Sequence, residues 1–253
     1  MIQIDSIFMF QELADYRVSG VRTKFFHEKK KTKDKSWGFL LRNVLNFGEI
    51  MDILGTDDDI ASFGMITGES YMDLRDYLRM KSYIIEKEII LLGPNSPAFM
   101  GPLFSIKKNK TDIQKEGNIA ILTRSQQTLE YGMRYLNKRS YKIKYGISLG
   151  ESILPFCDFF EIIPHLFKED VDAVVCINES GTLLNLPDFY LEKPVIFLQG
   201  GTFLFEEESS FKNYIENIGI LTPEKSLNNL IKMGINVTYT FKDLVDVLKI
   251  FAD

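Results

Sequence analysis

Histidine is almost missing from this chain: His27 and His165 are the whole supply in 253 residues. Chemistry that needs an imidazole as base, phosphoryl acceptor or metal ligand is therefore confined to two positions. His27 borders a lysine run and reads as exposed, whereas His165 lies in the apolar stretch Ile162–Phe167 and reads as a packed histidine. Ser125 and Ser180 have no base evident beside them, which removes the usual activation of a hydroxyl nucleophile. Cysteine is as scarce. Cys157 and Cys176 stand far apart in apolar surroundings, where thiols behave as small buried hydrophobes, so neither a disulfide framework nor a zinc site is expected.

Positive charge is not in surplus either. A net charge of −5 argues against nucleic acid as a partner, because neutralising phosphates needs Lys and Arg concentrated on one face. The exception is the basic run His27–Lys35, read as a solvated loop, with an anion-binding patch as the alternative. No apolar run reaches the roughly 18 residues that span a bilayer. The opening MIQIDSIFMFQELADYR carries Asp5 and lacks a basic lead, so no signal peptide is expected and the protein is read as soluble and cytoplasmic. The acidic run Glu206–Glu208 points its carboxylates in different directions with no His or Asp to complete a shell, so no metal is expected.

What the chain does contain is an ordinary globular balance, 45% hydrophobic and 26% charged, in enough length for two domains. Short apolar runs alternate with longer amphipathic ones, the pattern of parallel sheets covered by helices. In the second half the runs are Ile119–Leu122, Ile143–Ile147, Ala173–Ile177 and Pro194–Leu198, with helices expected at Gln127–Arg139 and Phe156–Lys168. A helix from Pro223 to Met233, opened by Thr222 and stopped by Gly234, precedes the strand Ile235–Val237 and a closing helix, Phe241–Phe251. In the first half, helices are expected at Trp37–Leu45, Ile50–Leu54 and Met72–Glu86, with strands at Ile60–Ile66 and Ile89–Leu92. The polar stretch Ser105–Glu116 reads as a linker, dividing the chain into domains at residues 1–110 and 117–253.

In open parallel sheets ligands bind beyond the carboxyl ends of the strands. The loops there are Thr67–Ser70, Gly93–Pro97, Thr123–Thr128, Ser148–Glu151, Asn178–Thr182 and Gln199–Thr202. Taken in order, GPNSP, GNIAILTRSQQT, GISLGE, VCINESGT, KPVIFLQGGT and LIKMGINV resemble the succinyl-CoA synthetase α subunit and the C-terminal region of ATP-citrate lyase, in the NDP-forming acyl-CoA synthetase superfamily.

The resemblance implies an α/β fold of two Rossmann or flavodoxin-like parallel-sheet domains, the first CoA-binding and here shortened, the second ligase-like. It implies anion binding at Ser125, Gln126, Gln127 and Thr128, where a helix N-terminus faces a phosphoryl group, and ligand binding at Ser180 and Gly181. Asn95 and Ser96 match the segment near the CoA thiol, though Pro94, Asn95 and Pro97 can equally be read as a plain turn. Glu179, followed by Ser180 and Gly181, matches the glutamate that orients the family's phosphohistidine; a solvated loop carboxylate is the other reading. The resemblance further implies CoA as cofactor and an ATP-grasp β-like subunit or a homo-oligomer as partner.

Three departures bear on activity. The stretch 203–214, where the family carries its phosphorylated histidine, has none. Gln126 stands where the family usually has glycine, and the glycine-rich turn after the first strand has no counterpart. If active, the chain is expected to be acyl-CoA ligase-like or carbamoyltransferase-like; a non-catalytic structural or regulatory partner is the remaining expectation.

Overall fold

A computed structural model describes residues 4–9, 16–25, 36–43, 46–55, 60–69, 72–95, 97–107, 117–151, 154–179, 183–184, 191–200, 220–221 and 223–251. Along these run β1 (Ser6–Met9), β2 (Arg17–Ser19), β3 (Arg22–Phe25), β4 (Trp37–Leu41), α1 (Phe47–Leu54), β5 (Phe63–Ile66), α2 (Leu74–Glu86), β6 (Ile90–Leu92), β7 (Ala98–Met100) and β8 (Ser105–Lys107). Then follow β9 (Ile119–Thr123), α3 (Gln126–Asn137), β10 (Ile143–Ser148), α4 (Phe159–Phe167), β11 (Ala173–Asn178), β12 (Leu183–Leu184), β13 (Val195–Gln199), β14 (Ile220–Leu221), α5 (Pro223–Lys232), β15 (Asn236–Thr238) and α6 (Phe241–Phe251).

The strands form two main sheets of α/β type. The first is parallel throughout, ordered β3-β1-β4-β5-β6. The second is ordered β15-β13-β11-β9-β10-β7-β8-β2, with five parallel strands followed by three antiparallel ones at the edge. Both parallel portions wind the same way: the chain adds one neighbour to its first strand, then returns to the other side. Each sheet thus has a topological switch point, between β1 and β4 and between β9 and β11, where α/β proteins open a crevice for ligands.

The central strands are apolar along their whole length because both faces are covered. Every residue of β4, β9 and β11 is buried. α3 and α6 lie on one face of the second sheet, contributing Leu129, Met133, Leu244 and Leu248, while α4 and α5 cover the other with Phe159, Leu166 and Leu230. α5 ends where Gly234 adopts φ +75°, a left-handed conformation that glycine reaches without a Cβ penalty.

Most expected elements appear within a few residues of their sequence bounds, and two differ. Trp37–Leu45 was expected to be helical, but Trp37–Leu41 is strand β4, hydrogen-bonded between β1 and β5. A run apolar at every position has no polar face to turn to water, and periodicity cannot separate a buried strand from a buried helix; edge-to-face packing of Trp37 on Phe8, centroids 5.7 Å apart, fills the core here. Ser105–Lys107, expected within a linker, is strand β8, with Ile106 wholly buried. Residues 108–116 and Thr222 lie outside the described residues.

The two sheets are joined by core and by loops. Phe63 of the first sheet packs edge-on against Phe99 and Phe104 beside the second, at 5.4 and 5.6 Å. The Gly93 N–H donates to Leu149 O at 2.8 Å, and Gly93 O accepts from Phe156 N at 2.8 Å. The carboxyl end of β6 is therefore held against the carboxyl end of β10, which brings strand-end loops of both sheets together.

Candidate functional site

At the switch point of the second sheet, β9 runs through Thr123-Arg124-Ser125 into α3. Ser125 is extended, at φ −105° and ψ 149°, and its side chain accepts from Thr128 N at 3.1 Å. That is an N-cap, and it satisfies one of the four N–H groups a helix start leaves unpaired. Glu179, immediately after β11, crosses the switch point to the same turn. Its Oε1 accepts from Ser125 N at 3.0 Å and Ser125 Oγ at 2.9 Å, and its Oε2 accepts from Arg124 N at 3.0 Å. A carboxylate of the chain itself thus sits at the N-terminal turn of α3, where the helix dipole favours negative charge.

The Arg124 side chain turns to the other face of the sheet. It is 5% exposed, donates from Nη2 to Asp158 Oδ1 at 2.9 Å, and lies over the Phe159 ring with 4.9 Å to the centroid. Its Nε and Nη1 have no hydrogen-bond partner among the described residues. Asp158 is the N-cap of α4 and forms a capping box with Glu161, whose Oε2 accepts from Asp158 N at 2.9 Å. Glu161 in turn pairs with Lys81 of α2, and Lys81 Nζ also donates to Phe156 O at 3.0 Å. A line of charges therefore runs from the end of β9 to the helix layer of the first sheet.

Asn95, at φ +66°, is tied to this centre through the backbone. Its N–H donates to Gly68 O at 2.9 Å and its carbonyl accepts from Glu151 N at 2.9 Å, while Gly150 N donates to Arg124 O at 3.0 Å. Gly150 itself has φ +112°, and a Cβ there would sit 2.3 Å from Pro94 O, so this close approach of two loops requires glycine.

A cavity of about 470 Å³ opens on the α3 and α6 face, lined in part by Gln127, Thr128, Tyr131, Glu179, Tyr239 and Phe241. A second cavity, of about 370 Å³, lies between α2 and α4, with Ile85, Glu161 and His165 among its walls. Burial, with a smaller contribution from Lys168, lowers the pKa of the His165 imidazole. Burial raises both cysteine thiols well above their ordinary value. Among the described residues no His, Cys, Asp and Glu grouping could hold a metal ion, and no helix is long and apolar enough to cross a membrane.

Of the sequence-predicted site residues, Ser125, Thr128 and Glu179 converge. Gln127 is exposed at the cavity wall, and Gln126 is buried with Nε2 donating to Glu130 Oε1 at 3.1 Å. Asn95 belongs to the neighbouring loop. Ser96, Ser180, Gly181, His27, the run His27–Lys35, Glu206–Glu208 and the stretch 203–214 lie outside the described residues. Sequence reasoning did not single out Arg124, Asp158, Tyr131 or Tyr239. An arginine directly after a buried strand and before an N-cap serine was the available signal for the first.

No protein-family model matches the sequence, and no curated protein does. Solved structures do match the fold. ATP citrate lyase from Methanothrix soehngenii, solved with citrate and coenzyme A, superposes with a TM-score of 0.58 over 96% of this chain and 48% of its own, at 11% identity. The dinucleotide forming acetyl-coenzyme A synthetase 1 of Ca. Korarchaeum cryptofilum, solved with phosphate and ADP, gives 0.57 over 87% of this chain and 49% of its own, at 14% identity. The chain has the fold of these acyl-CoA enzymes. It spans about half the length of each of those chains.

Proposed function

We propose that this chain is a divergent relative of the NDP-forming acyl-CoA synthetases that binds CoA, an acyl group or a similar anion at its strand-end loops. It works as one subunit of a larger assembly, with an ATP-grasp β-like chain or further copies of itself, and without a phosphohistidine relay.

The observation that carries the reading is Arg124. A guanidinium that is nearly fully buried, held by Asp158 on one side and left with two unpaired donors, lies beside the N-terminal turns of α3 and α4. Unpaired buried donors are costly, and an anionic ligand would satisfy them. Support for CoA as that anion comes from the fold shared with a chain solved with coenzyme A. Glu179, bonded to Arg124 N and Ser125 N, has the role of fixing the turn rather than that of a proton carrier.

A ligand that binds only the folded chain raises its thermal midpoint. Millimolar CoA should therefore raise the unfolding temperature, and an unchanged midpoint would count against the reading. Incubation with labelled ATP or acyl phosphate should leave no acid-labile phosphate on the chain; a stable phosphoramidate would show a relay after all.

A further inference from the structure

The cavity beside Glu179 is chemically unlike an anion site. Among the described residues that line it, Glu179 is the one with a charged side chain, and neither lysine nor arginine is among them. An anion there would face the Glu179 carboxylate, with no counter-charge among the described residues. The aromatic content is high instead. Tyr131 stands edge-on to Phe241, ring planes at 75° and centroids 4.9 Å apart, so that two walls meet at a corner. Tyr131, whose ring also stacks on Tyr135 at 6.1 Å, is 51% exposed and Tyr239 is 61% exposed, so both residues stand partly open to solvent at the mouth.

Helix N-termini would ordinarily repel a cation from such a position, and here both are already answered by carboxylates. Glu179 takes Arg124 N and Ser125 N at the start of α3. At the start of α6, Asp243 Oδ2 accepts from Thr240 Oγ1 at 2.7 Å, and Asp243 N donates back to that oxygen at 3.1 Å. Among the described residues Glu179 Oε2 accepts one hydrogen bond, which leaves acceptor capacity for another. Aromatic faces with one carboxylate and no base form the setting in which ammonium groups are recognised.

We propose that this cavity binds a small organic ammonium, its positive head held between the rings of Tyr131 and Tyr239 and neutralised by Glu179. It lies on the α3 and α6 face, whereas the Arg124 guanidinium lies on the α4 face. A cationic and an anionic group can therefore be held on opposite sides of one switch point, and the assignment does not depend on the CoA reading.

The test is calorimetric titration of the full chain with choline, with its uncharged isostere in which carbon replaces the nitrogen, and with inorganic phosphate. Choline should bind saturably, and the isostere should bind about ten-fold more weakly or not at all. Tyr239→Ala, at an exposed position and with an unchanged unfolding midpoint, should weaken choline about five-fold or more, while Tyr239→Phe should retain it. CoA should behave identically with wild type and Tyr239→Ala. Equal affinity for choline and the isostere, no saturable choline binding, phosphate binding abolished by Tyr239→Ala, or a joint loss of choline and CoA would each overturn the assignment.

Discussion

One carboxylate oxygen of Glu179 takes two hydrogen bonds from Ser125, from its backbone N–H at 3.0 Å and its hydroxyl at 2.9 Å, across a sequence separation of 54 residues. The two residues stand at the ends of adjacent strands, where Ile177 of β11 registers with Thr123 of β9. Glu179→Ala would strand the N–H groups of Arg124 and Ser125 and should cost about 1 to 3 kcal/mol, the range for a donor left without its partner. Glu179→Gln, which keeps one acceptor oxygen, should cost less. Urea denaturation of both variants decides whether the carboxylate holds the turn.

Arg124 and Asp158 form an ion pair with both side chains buried, at 2.9 Å. Asp158→Ala removes a buried partner and the cap of α4 together, so a loss of about 3 to 5 kcal/mol is expected. Arg124→Met should cost less, since Asp158 keeps its bond from Phe159 N at 2.7 Å. The double variant should be more stable than the sum of the two losses. Strict additivity in denaturant titrations would mean that the pair is not coupled.

Much of the fold was legible because buried parallel strands write themselves as short apolar runs and helices carry their caps. Ile119–Leu122 and Ala173–Ile177 are strands within a residue, and Gly234 stops α5. The Trp37 strand was not legible, since five consecutive apolar residues carry no period of two or of 3.6. Nor was the pairing of β2 with β8, a contact between residues 17–19 and 105–107 that no local pattern encodes. Ser125 and Glu179 stand in strand-end loops that the sequence marks, and the structure brings them together. Tyr239 reaches the same cavity from the bend after β15, far along the chain, so sequence proximity could not assign it.

At Gly150 a side chain has no room and the backbone has an unfavourable φ. Gly150→Ala should destabilise the chain by about 1 to 3 kcal/mol and displace the Gly93–Asn95 loop. CoA should bind this variant more weakly at a temperature where it remains folded. Unchanged stability would show that the close approach to Pro94 O relaxes freely.

His165 links stability to pH. Because burial lowers its pKa in the folded chain below the ordinary 6.5, the unfolded chain takes up its proton at higher pH. The folded state therefore has its full advantage above about pH 6.5 and loses it as the pH falls toward the lowered pKa. His165→Gln should flatten the decline in unfolding free energy between neutral and mildly acidic pH. An identical slope in wild type and variant would remove His165 as its source.

The binding of CoA to a strand-end site that includes Arg124 is tested most directly by isothermal titration of CoA into wild type and into Arg124→Met, both confirmed as folded. Saturable binding by wild type and a loss of about ten-fold or more in Arg124→Met is the expected result. No heat with wild type at millimolar CoA, or equal affinity in the two proteins, would contradict it.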